Sequence, residues 1–277
     1  MYAIRQSTTT AAAAACGCLL SALMLMPAVA GAAEFADTDI SPYLPVAGGT
    51  FKSVLSGTGL QSEIRVAGFL MRRDPVSQQN FLQFVQKNPQ WRKDRIPSLF
   101  ADKAYLAQWP AADSFGAADP ASPVTGISWF AARAYCQSER ARLPRWYEWE
   151  LAAAADETST DARASAAWRS RILNWYGQNA QSGQTQQSFP PNVYGLRALH
   201  GQIWEWVGDF NALLISPDSR TQGDPDKLQF CGAGAISLQN KENYAILMRV
   251  ALLSSLTARS TTASMGFRCV RDQKGTP

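Results

Sequence analysis

The chain has 277 residues, 46% of them hydrophobic, with five cysteines, one histidine and a formal charge of +4. That length can bury a sizeable core in one large domain or two small ones without a metal or a dense disulfide framework. The small positive charge comes with no basic run interleaved with aromatics, which argues against a nucleic-acid partner.

In chain order, Arg5 supplies a short positive region, Ala11 to Met26 an apolar run, and Ala28-Val29-Ala30 a small-residue cleavage signal. Residues 1–30 are therefore predicted to be a secretory signal peptide, with a second cut allowed after Ala33. No twin arginine precedes the run and no lipobox surrounds Cys16 or Cys18, which favours Sec-type export. A retained anchor is the alternative, but it needs about 18 to 20 uninterrupted apolar residues. The mature protein is expected in an oxidising compartment, most simply a bacterial periplasm, with no membrane contact once the signal is removed. Without Arg5 it holds 25 basic and 22 acidic residues, a balance of +3. Its three cysteines, Cys136, Cys231 and Cys269, allow at most one disulfide and leave one thiol over.

Residues 31–44 read as a polar lead-in. Val46 to Phe51 and Ile64 to Met71 are predicted strands, the second by its alternation, and Ser56-Gly57-Thr58-Gly59 between them is turn chemistry. Ser77 is expected to cap a helix from Gln78 to Gln86, where Phe81, Leu82, Phe84 and Val85 fall at helical spacing. Residues 87–120 mix charge, proline and isolated aromatics such as Trp91, Tyr105 and Trp109, a density that predicts an ordered but irregular segment. Ser128 is expected to cap the next helix, Arg142-Leu143-Pro144 to break it, and a further helix to run from about Trp146 to Ala155. Another is expected near Trp168 to Trp175, followed by a polar loop over Gln178 to Ser188. With no internal repeat and no boundary signal, residues 45–273 form one predicted domain.

Three phrases carry a resemblance. The first is PVTGISWFAARAYCQSERARLPRWYEWELAA, from Pro123 to Ala153. The second runs from Asn192 through Tyr194-Gly195-Leu196 to Gly201-Gln202-Ile203-Trp204-Glu205-Trp206. The third places Tyr244 and Arg249 ahead of Gly266-Phe267-Arg268-Cys269. In this order and spacing the mature chain resembles the formylglycine-generating-enzyme (sulfatase-modifying factor) domain. The resemblance implies a single α+β domain of C-type-lectin-like kind, with short strands and much irregular backbone.

The resemblance also implies where chemistry should lie. Counting back from Cys269, the two catalytic cysteines of the family fall on Asn240 and Ala245, so the thiolates that hold copper in active members are absent and copper is not expected. A second, structural pair falls on Ala153 and Val250, and the remaining structural pair on Cys136 and Cys269, which an exported chain should oxidise. Cys231 is then left as either a buried small hydrophobe or a reactive thiol. Calcium, held by oxygen ligands in relatives, is disfavoured because those places carry Ala198 and Gln202. Glu205 is open to a functional or a buried structural role. His200, the only histidine, cannot anchor a three-histidine iron site and reads most simply as a satisfied turn residue. No metal ligands are assigned.

What remains near the vanished cysteines is Glu242 and Tyr244, a carboxylate and a phenol suited to proton transfer and assigned as the catalytic pair. Trp204, Arg249 and Asn240 are expected to line the same groove. Further phrases, Asp209 to Leu214, Phe230 to Ala235 and Glu242 to Ala245, resemble an exported branch of the family that lacks the copper cysteines. That branch implies a role in oxidising a pyoverdine-type siderophore chromophore, with a small peptide-like precursor or a periplasmic protein as partner. The alternative is a non-catalytic binding or maturation factor, such as those associated with copper nitrite reductase.

Overall fold

In this computed structural model residues 41–52, 63–177, 189–213 and 244–273 are described. Strand β1 (Tyr43–Val46) pairs antiparallel with β4 (Phe69–Arg72), which pairs antiparallel with β7 (Val270–Asp272), so one sheet ties the start of the domain to its end. Strands β2 (Gly49–Phe51) and β3 (Ile64–Val66) form a second antiparallel pair. A short parallel pair joins β5 (Trp204–Glu205) to β6 (Met265–Gly266). Five α-helices, α1 (Gln78–Lys87), α2 (Trp129–Ser138), α3 (Trp146–Ala153), α4 (Ala166–Gly177) and α5 (Tyr244–Ser255), and two short 3-10 helices, Pro89–Trp91 and Phe210–Leu213, complete the described elements. Mixed short strands and helices with long irregular connections make this an α+β domain. No helix among the described residues is long and apolar enough to cross a membrane.

Each of the two expected strands is split. A Cβ on Gly48 would collide with the Val66 carbonyl and the Gly68 amide, so the chain crosses itself at two glycines and changes sheet there. The break at Ala67-Gly68 resets the alternation, and Phe69 and Met71 become the inward side of β4. Strand β1 also begins at Tyr43, inside the expected lead-in. The helices start where their caps predict. Ser77 Oγ accepts from the Asn80 amide at 3.2 Å and Ser128 Oγ from the Ala131 amide at 3.2 Å, each satisfying a first-turn donor. Helix α2 stops at Ser138, before the expected break at Arg142-Leu143-Pro144, because Arg140 adopts φ 54° and Arg142 turns to bridge Val270.

The irregular segment is fixed by aromatic hydrogen bonds. Trp109 Nε1 donates to Gln78 Oε1 at 2.8 Å, Gln78 Nε2 to the Pro123 carbonyl at 3.1 Å, and the Tyr105 hydroxyl to the Trp91 carbonyl at 2.9 Å. Between sheet and helices lies an aromatic core in which Tyr135 packs against Phe267 at 5.3 Å and Phe84 at 5.3 Å between ring centres. Beside it, Glu139 at the end of α2 accepts from Tyr43 at 2.5 Å, Tyr135 at 2.6 Å and Arg72 at 2.8 Å. Burial alone would raise the Glu139 carboxyl, but Arg72 and the two hydroxyls outweigh it and hold it below its usual range.

Cys136 of α2 and Cys269, just before β7, are joined in a disulfide across 133 residues. In the chain-entropy account a loop of that size removes about 4 to 5 kcal/mol of unfolded-state freedom. Replacing both cysteines by serine is expected to lower stability by about that amount, read as a drop in the urea midpoint with a larger m-value, because the unbridged unfolded chain exposes more surface.

Candidate functional site

The three signature phrases meet in the interior. Arg268, from the Gly266–Cys269 phrase, and Glu205, from β5, are both fully buried. Arg268 Nε donates to both Glu205 carboxylate oxygens at 3.0 and 2.9 Å, and Nη2 to Oε1 at 2.8 Å. The remaining donors of Arg268 reach the carbonyls of Arg73 at 3.1 Å and Arg197 at 2.8 Å. Trp149, from the first phrase, donates its indole N–H to Glu205 Oε2 at 2.9 Å. Its ring carries the Arg249 guanidinium 3.6 Å from the ring centre. Arg249 Nη2 also donates to the Glu205 carbonyl.

The rest of the first phrase is equally structural. Glu148 accepts from Arg142 at 2.7 Å and from the Arg145 amide at 2.7 Å, which caps α3 and ties it to the bridge at Val270. Glu150 is buried and accepts from Trp146 Nε1 at 2.9 Å. Trp206 Nε1 donates to the Ile127 carbonyl at 2.8 Å. Gly266 is required because a side chain there would run into the Val124 carbonyl and Ile203.

Of the sequence-predicted site residues, Asn240 and Glu242 lie outside the described residues, as does Cys231. Tyr244 opens α5, and Trp204 is half-buried in β5. Arg249 requires a correction. It is only 1% exposed, and its contacts with Trp149 and the Glu205 carbonyl make it part of the core rather than a groove wall. Glu205, open to two roles from sequence, takes the buried structural one. The places of the second family disulfide, Ala153 and Val250, are filled by buried apolar side chains.

At the places that the resemblance assigns to the family's metals, Asn240 and Ala245 carry no thiol, and Ala198, buried with φ 54°, carries only a methyl group. Among the described residues no cluster of three or more His, Cys, Asp or Glu is placed to hold a metal ion.

A cleft of about 290 Å³ opens between α4 and the segment 189–201. Trp168, Ile172, Phe189 and Leu199 line it, with Arg171 and Glu157 among the polar residues and His200 beside them. Asn192 shapes the segment: its Oδ1 accepts from the Tyr194 and Leu196 amides at 3.0 and 3.1 Å, and its Nδ2 donates to the Ala152 carbonyl at 3.1 Å. His200 Nε2 sits 3.0 Å from the Ala153 carbonyl. A carbonyl only accepts, so the proton is on Nε2 and Nδ1 carries the lone pair. The two rings flanking the imidazole, Trp149 at 5.5 Å and Trp168 at 5.7 Å, meet it edge-on. Sequence reasoning placed His200 in a satisfied turn; only one of its nitrogens is satisfied by a described residue. Nothing in the spacing of Trp168, Phe189 and His200 marks them as neighbours, so the cleft has no sequence signal.

Two expectations follow from this geometry. Glu205→Gln, which leaves Arg268 buried without its counter-charge, should cost about 3 to 5 kcal/mol in urea unfolding; pairing it with Arg268→Met should recover part of the loss. The His200 ring is held neutral, its pKa pushed down to about 3 chiefly by burial, against the pull of the Ala153 hydrogen bond. The unfolded chain takes that proton near its ordinary value of 6.5 and the folded one only near 3, so the His200 contribution is intact above that window and is lost as pH falls through it. The wild-type minus His200→Gln stability difference should therefore decline between pH 7 and pH 5, and the imidazole NMR signals should not titrate there.

The model of the family described as sulfatase-modifying factor enzyme 1-like domain matches residues 31–273. The formylglycine-generating enzyme of Streptomyces coelicolor is 32% identical over 178 residues, 55% of this chain and 54% of that protein, so the chain spans about half the length of that relative. The formylglycine-generating enzyme of Thermomonospora curvata is 28% identical over 264 residues, 78% of this chain and 86% of that protein. A solved structure, PvdO from Pseudomonas aeruginosa, is 16% identical with a TM-score of 0.47, covering 83% of this chain and 94% of that one. With the family model matched over residues 31–273 of 277, the chain belongs to the sulfatase-modifying factor enzyme 1-like domain family.

Proposed function

We propose that the protein is an exported, copper-independent member of this family that acts in the periplasm on a small peptide-like precursor, in the oxidative maturation of a pyoverdine-type siderophore chromophore. The observation that carries this reading is the contrast between scaffold and chemistry. The buried residues of the family signature, Glu205, Arg268 and Trp149, remain in contact with one another, while Asn240 and Ala245 stand where the copper thiolates belong. In this reading the same frame, without thiols at those two places, serves a different reaction. The phrases Asp209 to Leu214, Phe230 to Ala235 and Glu242 to Ala245 support the siderophore branch by resemblance.

In this reading Glu242 is the general base that takes a proton from a phenolic or amine group of the precursor, and the electrons of the oxidation pass to an external acceptor such as dioxygen. Tyr244 orients that group by hydrogen bonding, and Trp204 and Asn240 contribute to binding. Family members that act on sulfatases do so with paired thiolates, so formylglycine generation is not the activity proposed.

A second reading is favoured by the withdrawal of Arg249 into the core, which leaves fewer charged groups for catalysis. In it the domain is a non-catalytic binding or maturation factor for a periplasmic protein, of the kind associated with copper nitrite reductase. A strain lacking the gene should accumulate the unoxidised siderophore precursor, and the wild-type gene should restore the mature product. Glu242→Ala should slow that conversion by about 100-fold or more, the range of a lost general base. Full restoration by Glu242→Ala would favour the non-catalytic factor, and normal mature siderophore in the deletion strain would overturn the siderophore role.

A further inference from the structure

We propose that the cleft between α4 and residues 189–201 binds a small organic cation, with its apolar body against Trp168 and Phe189 and its ammonium group paired with the uncommitted Oδ2 oxygen of Asp156. The inference rests on neither reading of the function above and holds for a catalytic or a non-catalytic protein alike.

Size and lining come first. A cavity of about 290 Å³ stands at the lower end of small-molecule sites, which begin near roughly 300 Å³. Trp168 and Ile172, buried at 4% and 3% exposure, give it apolar walls together with Leu199. Phe189 adds another wall, and it can do so because residue 201 is glycine. At φ 107°, an ideal Cβ on Gly201 would stand 2.7 Å from the Phe189 ring, so a side chain there would push that wall away.

Charge then selects the ligand. Two carboxylates, Asp156 and Glu157, line the cleft with one guanidinium, that of Arg171, and the remaining lining residues are neutral, His200 among them. Arg171 is taken by Glu157 at 2.8 Å. Asp156 Oδ1 is taken too, by the Thr158 amide at 2.8 Å, the Thr158 hydroxyl at 3.0 Å and the Ser159 amide at 2.7 Å. Its Oδ2 has no partner among the described residues and is not among the buried unpaired atoms, so it stays open to a ligand. The Thr158 and Ser159 amides hold the carboxyl below its usual range, which keeps it ionised at neutral pH. Its position is fixed as well. The Asp156 amide donates to the Ser159 carbonyl at 3.0 Å, and the Asp156 carbonyl accepts from the Val193 amide at 2.8 Å, which ties the carboxylate to the segment that carries Phe189 and Leu199. An anion entering the cleft would meet net negative charge, and a neutral molecule would forgo the charge-assisted bond to Oδ2. Apolar walls beside one preorganised carboxylate fit an apolar body that ends in an amine.

The test uses the purified protein and two probes of one shape: phenethylamine, a cation at pH 7, and phenethyl alcohol, which is neutral. Binding is read from the Trp168 indole signal in proton–nitrogen-15 spectra, assigned by its loss in Trp168→Phe. Both probes are expected to shift that signal, with the amine binding about tenfold more tightly. Asp156→Asn, whose side-chain carbonyl can still accept from the Thr158 and Ser159 amides, should remove most of that difference. In the wild-type protein, added sodium chloride should weaken the amine and leave the alcohol nearly unchanged, because salt screens the ion pair. Equal affinity for the two probes, an amine affinity indifferent to salt, or a preference that survives in folded Asp156→Asn would each overturn the role of Asp156. Absence of any shift at Trp168 would overturn the site itself. All of these results leave the siderophore test above unaffected.

Discussion

The rest of this fold depends on one ion pair that no water reaches. Arg268 and Glu205 face each other with every donor and acceptor engaged: two carboxylate oxygens, three backbone carbonyls and an indole N–H complete the set. In an interior of low effective dielectric such a pair is stable only when satisfied to this degree, since either partner alone would be a buried charge. The constraint is geometric as much as energetic. Satisfying Arg268 brings together residues 73, 197, 205 and 268, and satisfying Glu205 adds Trp149 and Arg249, so segments far apart in sequence must arrive at one point. Strands as short as β5 and β6 need such an anchor, because two residues of parallel pairing hold little by themselves.

This explains why the residues of the family signature lie inside the fold. The signature phrases place their charged and aromatic residues in the core, where they hold α3, β5 and the C-terminal strand in register. The disulfide between Cys136 and Cys269 belongs to the supporting set as well. It closes a loop that contains α3, α4, β5, α5 and β6.

The cleft beside α4 has a different origin. Its floor comes from a helix and its cover from Phe189, and beside it lies a histidine whose ring is met edge-on by tryptophans of two other segments. The neutrality of His200 follows from burial, not from any residue adjacent in sequence, and the Ala153 carbonyl fixes which nitrogen carries the proton. Arg249 shows the converse. Its position near the missing cysteines suggested a groove, yet helix α5 turns its side chain inward over Trp149.

Local chemistry made much of this legible in the amino-acid sequence. Caps at Ser77 and Ser128 announced α1 and α2, because a hydroxyl that satisfies a first-turn amide acts within three residues. Aromatic density announced the order of residues 87–120, and the spacing of the signature phrases announced the family. The splitting of the first strands was not legible, because it comes from the crossing of Gly48 over Gly68, two glycines from different strands. The buried role of Glu205, the inward turn of Arg249 and the partnership of His200 with Trp168 were decided only by tertiary structure. Burial and pairing are properties of segments brought together in space, and local spacing carries caps, turns and periodicity but not which distant residue completes a charge.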